Sequence, residues 1–370
     1  MRIGVPREIK QDEYRVALTP GGAFELIAHG HEVWIERDAG LGAGHPDEAY
    51  ARVGANIGDA SDCWGAELVL KVKEPQPAEF GFLSDEQTLF TYLHLAANAR
   101  VADALCRAGG TAIGYETVED RHGRLPLLAP MSEVAGRLAV QAGARFLEQP
   151  RGGRGVLLGG VAGVAAGNVT IIGGGIVGTN AAVVAIGMQA HVTVLDADLG
   201  RLRELEMVLN GRLTLIYATR LAIAEQVARS DLVIGAVLRP GARAPHLVTR
   251  EMIRSMAPGS VVVDVAVDQG GCMETTRPTT HADPVYTVDG VVHYCVANMP
   301  AAVPVTATAA LCNATLPYVL QLADHGLAGA LREDPGLRPG VNIRDGKIVN
   351  AAVVEALQTS SPDRLRGPPD

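Results

Sequence analysis

The chain is poor in aromatic side chains, 4% of its 370 residues, and poor in long apolar runs. A membrane-spanning helix needs roughly eighteen or more apolar residues in a row, and every apolar stretch here is cut by charges or glycines first. There is no Lys/Arg block, and the net charge is −9. That balance speaks against a nucleic-acid or anionic-lipid surface. The five cysteines, at 63, 106, 272, 295 and 312, form no C-x-x-C pair. An odd, scattered set is expected to be reduced thiols and not a disulfide framework. The N-terminus MRIGVPREIK lacks the apolar core of a signal peptide. A cytoplasmic location is the simplest expectation. No H-E-x-x-H and no short-spaced Cys/His set suggests a metal, and no G-x-S-x-G elbow is present.

Glycine, in contrast, is plentiful at 43 residues, and 48% of the chain is hydrophobic. Tight βα turns and a large core follow, in an α/β chain of about two domains. RIGVP, HEVWIERDAG, ELVLKVKEP, TLFTYLHLA and TAIGYETV read as strands, with helical segments such as TPGGAFELIAHG between them. Alternation of this kind builds a parallel sheet. Residues 131–149 read as a long helix with Ser132 as its N-cap. A second series of about six strands then runs from NVTIIGGG to VHYCVANMP. Residues 306–326 read as another long helix, kinked at Pro317 and ending at His325-Gly326. The expected architecture is two doubly wound, Rossmann-like domains joined by long helices, with a cleft between them. The C-terminal segment should complete the first.

The sharpest motif is TIIGGGIVGTNAA, which supplies Gly173, Gly175 and Gly178 as G-x-G-x-x-G. Alone it is weak. Here it follows a β-branched strand and opens an apolar helix, and the next strand, HVTVLDAD, ends in Asp196. That context is the fingerprint of a dinucleotide site, with the pyrophosphate on the helix N-terminus and the carboxylate on the adenosine ribose. Asp196 repels a 2′-phosphate and so favours NAD over NADP; Arg201 and Arg203 downstream soften that preference. A ligand-free glycine turn and an FAD site are the alternatives.

The run AELVLKVKEP poses a question, because it sets Lys71 and Lys73 in an apolar strand. Two residues apart on a strand, they share a face. Either an edge strand solvates both, or one is held for chemistry. Open α/β sheets bind ligands beyond the carboxyl ends of their strands. Lys73, His94, Asp268 with Gln269, and Asn298 all fall at strand ends, and Arg15 follows the first strand's loop. Individually, His94 reads equally well as a core histidine, Asp268 as a cap, and Arg15 as a surface partner of Asp12 or Glu13. Together they form a chemically coherent set. Arg15 can fork onto a carboxylate. Lys73 can add a second cation, and His94 and Asp268 can move protons.

The segments IGVPREIK, RVALTP, LKVKEP, FTYLHLAA, LLAPMSEVAGR, PRGGRGVLLGG, VDVAVDQGGC and YCVANMPAAVP resemble the alanine dehydrogenase family, which also contains the NAD-binding subunit of proton-translocating transhydrogenase. The resemblance runs to about residue 330. It implies an NAD-dependent enzyme interconverting L-alanine with pyruvate and ammonium, commonly as a homohexamer. It implies that Arg15 and Lys73 bind the substrate carboxylate, that His94 and Asp268 are catalytic, and that Met131 and Asn298 line the pocket. Ser132, the glycine turn, Asp196, Arg201, Val237, Leu238, Val265 and Val267 would hold the cofactor. On this basis residues 1–128 and 304–370 form the substrate domain and 129–303 the NAD-binding domain. Lys73 is then the lysine with a task, and Lys71 a bystander or a supporting charge.

The sequence departs from the family in places. Gly174 and Val177 stand where alanine is usual, and Val177 adds bulk that can tilt the cofactor. Asparagine is usual near Gln11-Asp12. VPVTATAA, 303–310, lacks a customary polar residue and serine in what is expected to be a loop beside the cleft. Two other functions compete: an opine-type enzyme reducing an imine with a larger amine, and a non-catalytic NAD-binding subunit with a membrane partner. The complete Arg–Lys–His–Asp set favours the dehydrogenase.

Overall fold

The computed structural model describes residues 1–237 and 245–360. The chain forms two compact units, Met1–Met131 together with the described residues from Val303 onward, and Ser132–Ala302. Six strands come first: β1 (Arg2–Val5), β2 (Glu32–Glu36), β3 (Asn56–Gly58), β4 (Leu68–Leu70), β5 (Thr88–Thr91) and β6 (Thr111–Gly114). Seven follow in the second unit: β7 (Asn168–Ile172), β8 (His191–Asp196), β9 (Thr214–Tyr217), β10 (Leu232–Gly235), β11 (Val261–Asp264), β12 (Val285–Val288) and β13 (Val291–Tyr294). The chain returns to the first unit with β14 (Val341–Arg344) and β15 (Lys347–Ile348).

The first sheet has the order β3-β2-β1-β4-β5-β6-β14-β15. Strand β1 pairs in parallel with both β2 and β4. The winding therefore reverses between β1 and β4, and the chain leaving their carboxyl ends opens a crevice. Strand β14 runs antiparallel on β6. Ile343 and Val353, from the C-terminal segment, are buried with Trp64, Val69, Leu89 and Leu105. The returning chain thus completes the first core, as its apolar residues require. The second sheet has the order β9-β8-β7-β10-β11-β13-β12, again reversing beside its first strand, β7. Strands β3 and β12 were not foreseen; three and four residues long, and only partly buried, they carry little pattern. Nor was the C-terminal segment foreseen to add β14 and β15 as strands.

The lysine run does not form an edge strand. Strand β4 is internal, paired with β1 and β5, and stops at Leu70. Lys71 is 0% exposed. Its Nζ lies 3.1 Å from Glu8 Oε2 and 2.9 Å from Glu79 Oε1. Burial works to remove its proton, but the two carboxylates outweigh burial and hold its pKa above the usual lysine value.

Two helix expectations need correction. The helix Ala129–Phe146 starts three residues before Ser132, so Ser132 lies in its first turn and is not the cap. The helix Pro304–Glu333 begins directly at Pro304 with Val303 as its N-cap, so 304–310 is helix and not a loop. Its backbone stays helical through Pro317 and breaks at Gly326, with φ 62° and ψ 172°. That region of backbone space is open essentially only to glycine, which places the break there.

Lys71→Met should cost about 3–5 kcal/mol, because it strands two buried carboxylates. Urea unfolding at several pH values checks this. A stranded carboxylate has its pKa raised in the folded state, so the deficit should grow as pH rises. A deficit independent of pH would show that the carboxylates are not the cause.

Candidate active site

In the first unit the site is built where β1 and β4 release the chain. Glu8, just beyond β1, accepts hydrogen bonds through Oε1 from the Val72 amide at 2.6 Å and the Lys73 amide at 3.3 Å. Its other oxygen takes the Lys71 ammonium. Burial pushes the Glu8 carboxyl up, and Lys71 opposes this. Glu8 therefore fastens the two residues leading out of β4 and fixes the backbone from which Lys73 projects. The Thr91 hydroxyl, at the end of β5, donates to the Lys73 carbonyl at 3.0 Å.

The Lys73 ammonium makes no hydrogen bond or ion pair among the described residues. Its pKa is pushed below the usual lysine value by burial and then by Arg15, with Glu13 opposing. Arg15 is 2% exposed. It is not a surface residue, although it does pair with Glu13: its Nε and Nη2 grip Oε1 and Oε2 at 2.6 and 2.5 Å. The planar fork expected for a substrate thus already holds a carboxylate of its own chain along that edge. Nη1 donates to Met131 Sδ at 2.9 Å.

His94 is solvent-exposed, so it is not a core histidine. It sits three residues past β5 in the left-handed region, φ 49°. Glu116 explains the turn, accepting the Leu93 amide at 3.2 Å and the His94 amide at 2.6 Å. The pKa of His94 is pushed below the usual histidine value by desolvation among crowded neighbours and by Lys73, with Glu116 opposing. Its contact with solvent tempers the desolvation. Beside it, Tyr92 is buried, packs edge-on to Tyr115 and donates to the Leu127 carbonyl at 2.5 Å.

The second unit holds the glycine turn, between β7 and the helix Ile176–Gly187 at the reversal of its sheet. Gly173 has φ 100°, and a Cβ at Gly178 would lie 1.8 Å from the Gly173 carbonyl oxygen. Gly175 has nothing within 4 Å of where its Cβ would be. The turn is therefore tight on its inner side and open on its outer side, as a pyrophosphate resting on amides requires. Asp196, ending β8, accepts the Gly174 amide at 2.6 Å and the Asp198 amide at 2.8 Å. Arg201 binds the Gly174 carbonyl at 2.7 Å and the Thr179 hydroxyl at 2.6 Å. These residues fit a dinucleotide.

Asp268 lies in the short turn Val267–Gln269, exposed to solvent. Its carboxylate accepts the Asn298 amide at 3.4 Å, and Asn298 takes a left-handed backbone, φ 62°. The loop bearing Asp268 is organised by Asp264, 0% exposed, at the end of β11. Asp264 accepts the Ala266 amide at 3.1 Å, the Cys272 amide at 2.9 Å and the Thr276 hydroxyl at 2.7 Å. Val237 and Val265 follow β10 and β11 and are half-buried. Val267 is 3% exposed, which leaves its main chain as the part able to meet a ligand. Leu238 lies outside the described residues.

Two family models match the chain: the alanine dehydrogenase/PNT N-terminal domain over residues 4–135 and the C-terminal domain over 139–351. The alanine dehydrogenase of Halomonas elongata is 57% identical over 359 residues, 96% of this chain and 97% of its own. That of Bacillus subtilis is 54% identical over 96% of this chain and 95% of its own. A solved L-alanine dehydrogenase superposes with a TM-score of 0.94 at 53% identity, covering 97% of this chain and 99% of that one. The chain belongs to the alanine dehydrogenase/PNT family. A transhydrogenase from Sinorhizobium meliloti also matches, with a TM-score of 0.81 at 27% identity over 95% of this chain and all of its own.

The departures from the family have physical readings here. An alanine Cβ at 174 would lie 2.9 Å from Leu205 Cδ1, so glycine suits this packing. Val177 is buried, so its bulk faces the core and not a cofactor. Asp12 has φ 59°, a conformation that Asn and Asp both tolerate. Thr308 is 0% exposed and accepts the Val16 amide at 3.3 Å, bracing the segment that carries Arg15. Sequence reasoning missed Glu8, Glu116 and Asp264 as supports; it offered Glu13 as a partner of Arg15, but on the surface, where the structure buries the pair. Glu8 and Glu116 meet their partners only through the fold.

Asp196→Ala should weaken NADH binding roughly tenfold or more, since hydrogen bonds to a charged group are worth about 1.5–3 kcal/mol. NADPH binding should change far less. Fluorescence titration of both checks this, and equal losses would contradict a ribose role for Asp196.

Proposed function

We propose that this chain is an NAD-dependent alanine dehydrogenase: L-alanine, NAD⁺ and water give pyruvate, ammonium, NADH and a proton, and the reverse. The observation that carries this is the Lys73 ammonium, held on a fixed backbone without an ion-pair partner among the described residues. Arg15 is matched by Glu13, and Lys10 by Glu74. One unmatched cation beside a rigid guanidinium suits one substrate carboxylate. Met131, on the Arg15 guanidinium, lines the same place.

NAD⁺, when bound, would supply the acceptor for the hydride that leaves Cα. Ser132, the glycine turn, Asp196, Arg201, Val237, Leu238, Val265 and Val267 would hold it. Lys73 and Arg15 fix the carboxylate and so aim the Cα hydrogen. Loss of hydride and a nitrogen proton leaves an imine of the substrate. His94, whose depressed pKa keeps it a free base near neutrality, takes the proton from the attacking water and returns it as ammonia departs. Asp268, with Asn298 beside it, steadies the cationic nitrogen. The chain acts in the cytoplasm as a homohexamer; the exposed Leu157, Val161 and Val164 are apolar surface that a neighbouring subunit would cover. No helix among the described residues is long and apolar enough to cross a membrane.

NADH should be oxidised only when pyruvate and ammonium are both present. Oxidation with pyruvate alone would indicate a hydroxy-acid enzyme, and none at all a coupling subunit. His94→Ala and Asp268→Ala should each lose about 100-fold or more in kcat while still binding NADH; normal turnover in either would remove that residue from the mechanism.

For alanine oxidation, kcat/KM should be bell-shaped in pH. Its acid limb belongs to His94 below the usual 6.5, and its alkaline limb to Lys73 below the usual 10.5. Activity rises as His94 loses its proton and falls as Lys73 does. Lys73→Arg should move the alkaline limb out of range, and an unmoved limb would assign it to another group.

A further inference from the structure

The geometry points to a second anion site in the first unit, one that takes a small phosphate-bearing polyanion. A cavity of about 730 Å³ lies between the end of the helix Pro304–Glu333, the strand β14 and the start of the helix Ala351–Ser360. Arg332, Arg338 and Arg344 line it, and no acidic residue does. In a chain of net charge −9, three guanidiniums around one hollow form a local field of the opposite sign.

Little within the protein spends those charges. Arg332 is exposed and makes no hydrogen bond or ion pair among the described residues. Arg338 uses Nε on the Leu331 carbonyl at 3.1 Å, which aims its guanidinium and leaves the charge unmatched. Among the described residues Arg344 meets only the exposed Asp345, at 3.8 Å. Glu333, next to Arg332, is turned to His325 at 3.4 Å. The floor adds donors. Asn350 caps the ten-residue C-terminal helix, its Oδ1 accepting the Val353 amide at 3.2 Å. Ala351 and Ala352, the first two residues of that helix, line the same cavity, and their amides have no acceptor among the described residues.

Forked guanidiniums and helix N-terminal amides are the donors that phosphate oxygens match. Three arginines exceed what one carboxylate needs and suit a di- or triphosphate. The volume falls within the range of small-molecule sites, and Val341 and Val349 supply apolar wall for an attached organic group. None of these residues belongs to the candidate active site, so occupancy need not compete with substrate or dinucleotide.

The test is calorimetric titration of the full-length protein with inorganic pyrophosphate and with ATP, each with and without saturating NADH. We expect binding in both states, one ligand per chain, with citrate weaker. Arg332→Gln alone should weaken binding several-fold, and the triple variant Arg332→Gln, Arg338→Gln, Arg344→Gln roughly tenfold or more. NADH affinity and basal turnover should stay unchanged. Arg332 makes no side-chain bond among the described residues, so its variant reports even if the triple one fails to fold. No binding at about 1 mM ligand, binding abolished by NADH, or unchanged affinity in Arg332→Gln would overturn the assignment.

Discussion

The first unit depends on one buried ammonium. Lys71 has no access to water, and among the described residues its ion-pair partners are Glu8 and Glu79. A charge so placed is tolerated only when it is paired and hydrogen-bonded. Pairing it requires the loop after β1 and the short turn containing Glu79 to close on the end of β4. Once Glu8 is drawn there, its second oxygen meets the amides of Val72 and Lys73. The backbone bearing the unmatched Lys73 is thus set by the demands of its buried neighbour. The bystander lysine turns out to be the support.

The same logic recurs around the other candidate groups. Glu116 ties down the amides that put His94 in a left-handed conformation. Glu13 clamps the Arg15 guanidinium, and Asp264 gathers the loop carrying Asp268. In each case a buried or half-buried carboxylate takes several donors at once. Such hydrogen bonds are stronger than neutral ones and fix geometry as well as energy. The polar groups assigned to substrate therefore rest on acidic supports, and the supports are as specific as the groups they hold.

The two sheets share a pattern of winding. Each starts with a central strand, winds outward to one side, then returns to wind outward on the other. The crevice beside that central strand is where a doubly wound sheet binds ligands. In the second unit the glycine turn occupies it, and in the first the Glu8–Lys71–Lys73 arrangement does. The units differ in what fills the crevice: amides at a helix N-terminus in one, cationic side chains in the other.

The sequence by itself determined the alternation of strands and helices, the dinucleotide turn and the candidates Lys73, His94, Arg15 and Asp268. These are written in local terms: period, glycine spacing, and polar residues where an apolar run stops. Its resemblance to a family covered nearly the whole chain for the same reason. Only the tertiary structure decided which lysine is buried, where the Arg15 fork points, that Ser132 lies inside its helix, and that the long helix runs on through Pro317 and resumes beyond the Gly326 break as far as Glu333. It also decided the roles of Glu8, Glu116 and Asp264. Those depend on partners between 2 and 65 residues away, and a carboxylate's partner is set by the fold that brings a donor within 3 Å or so of it.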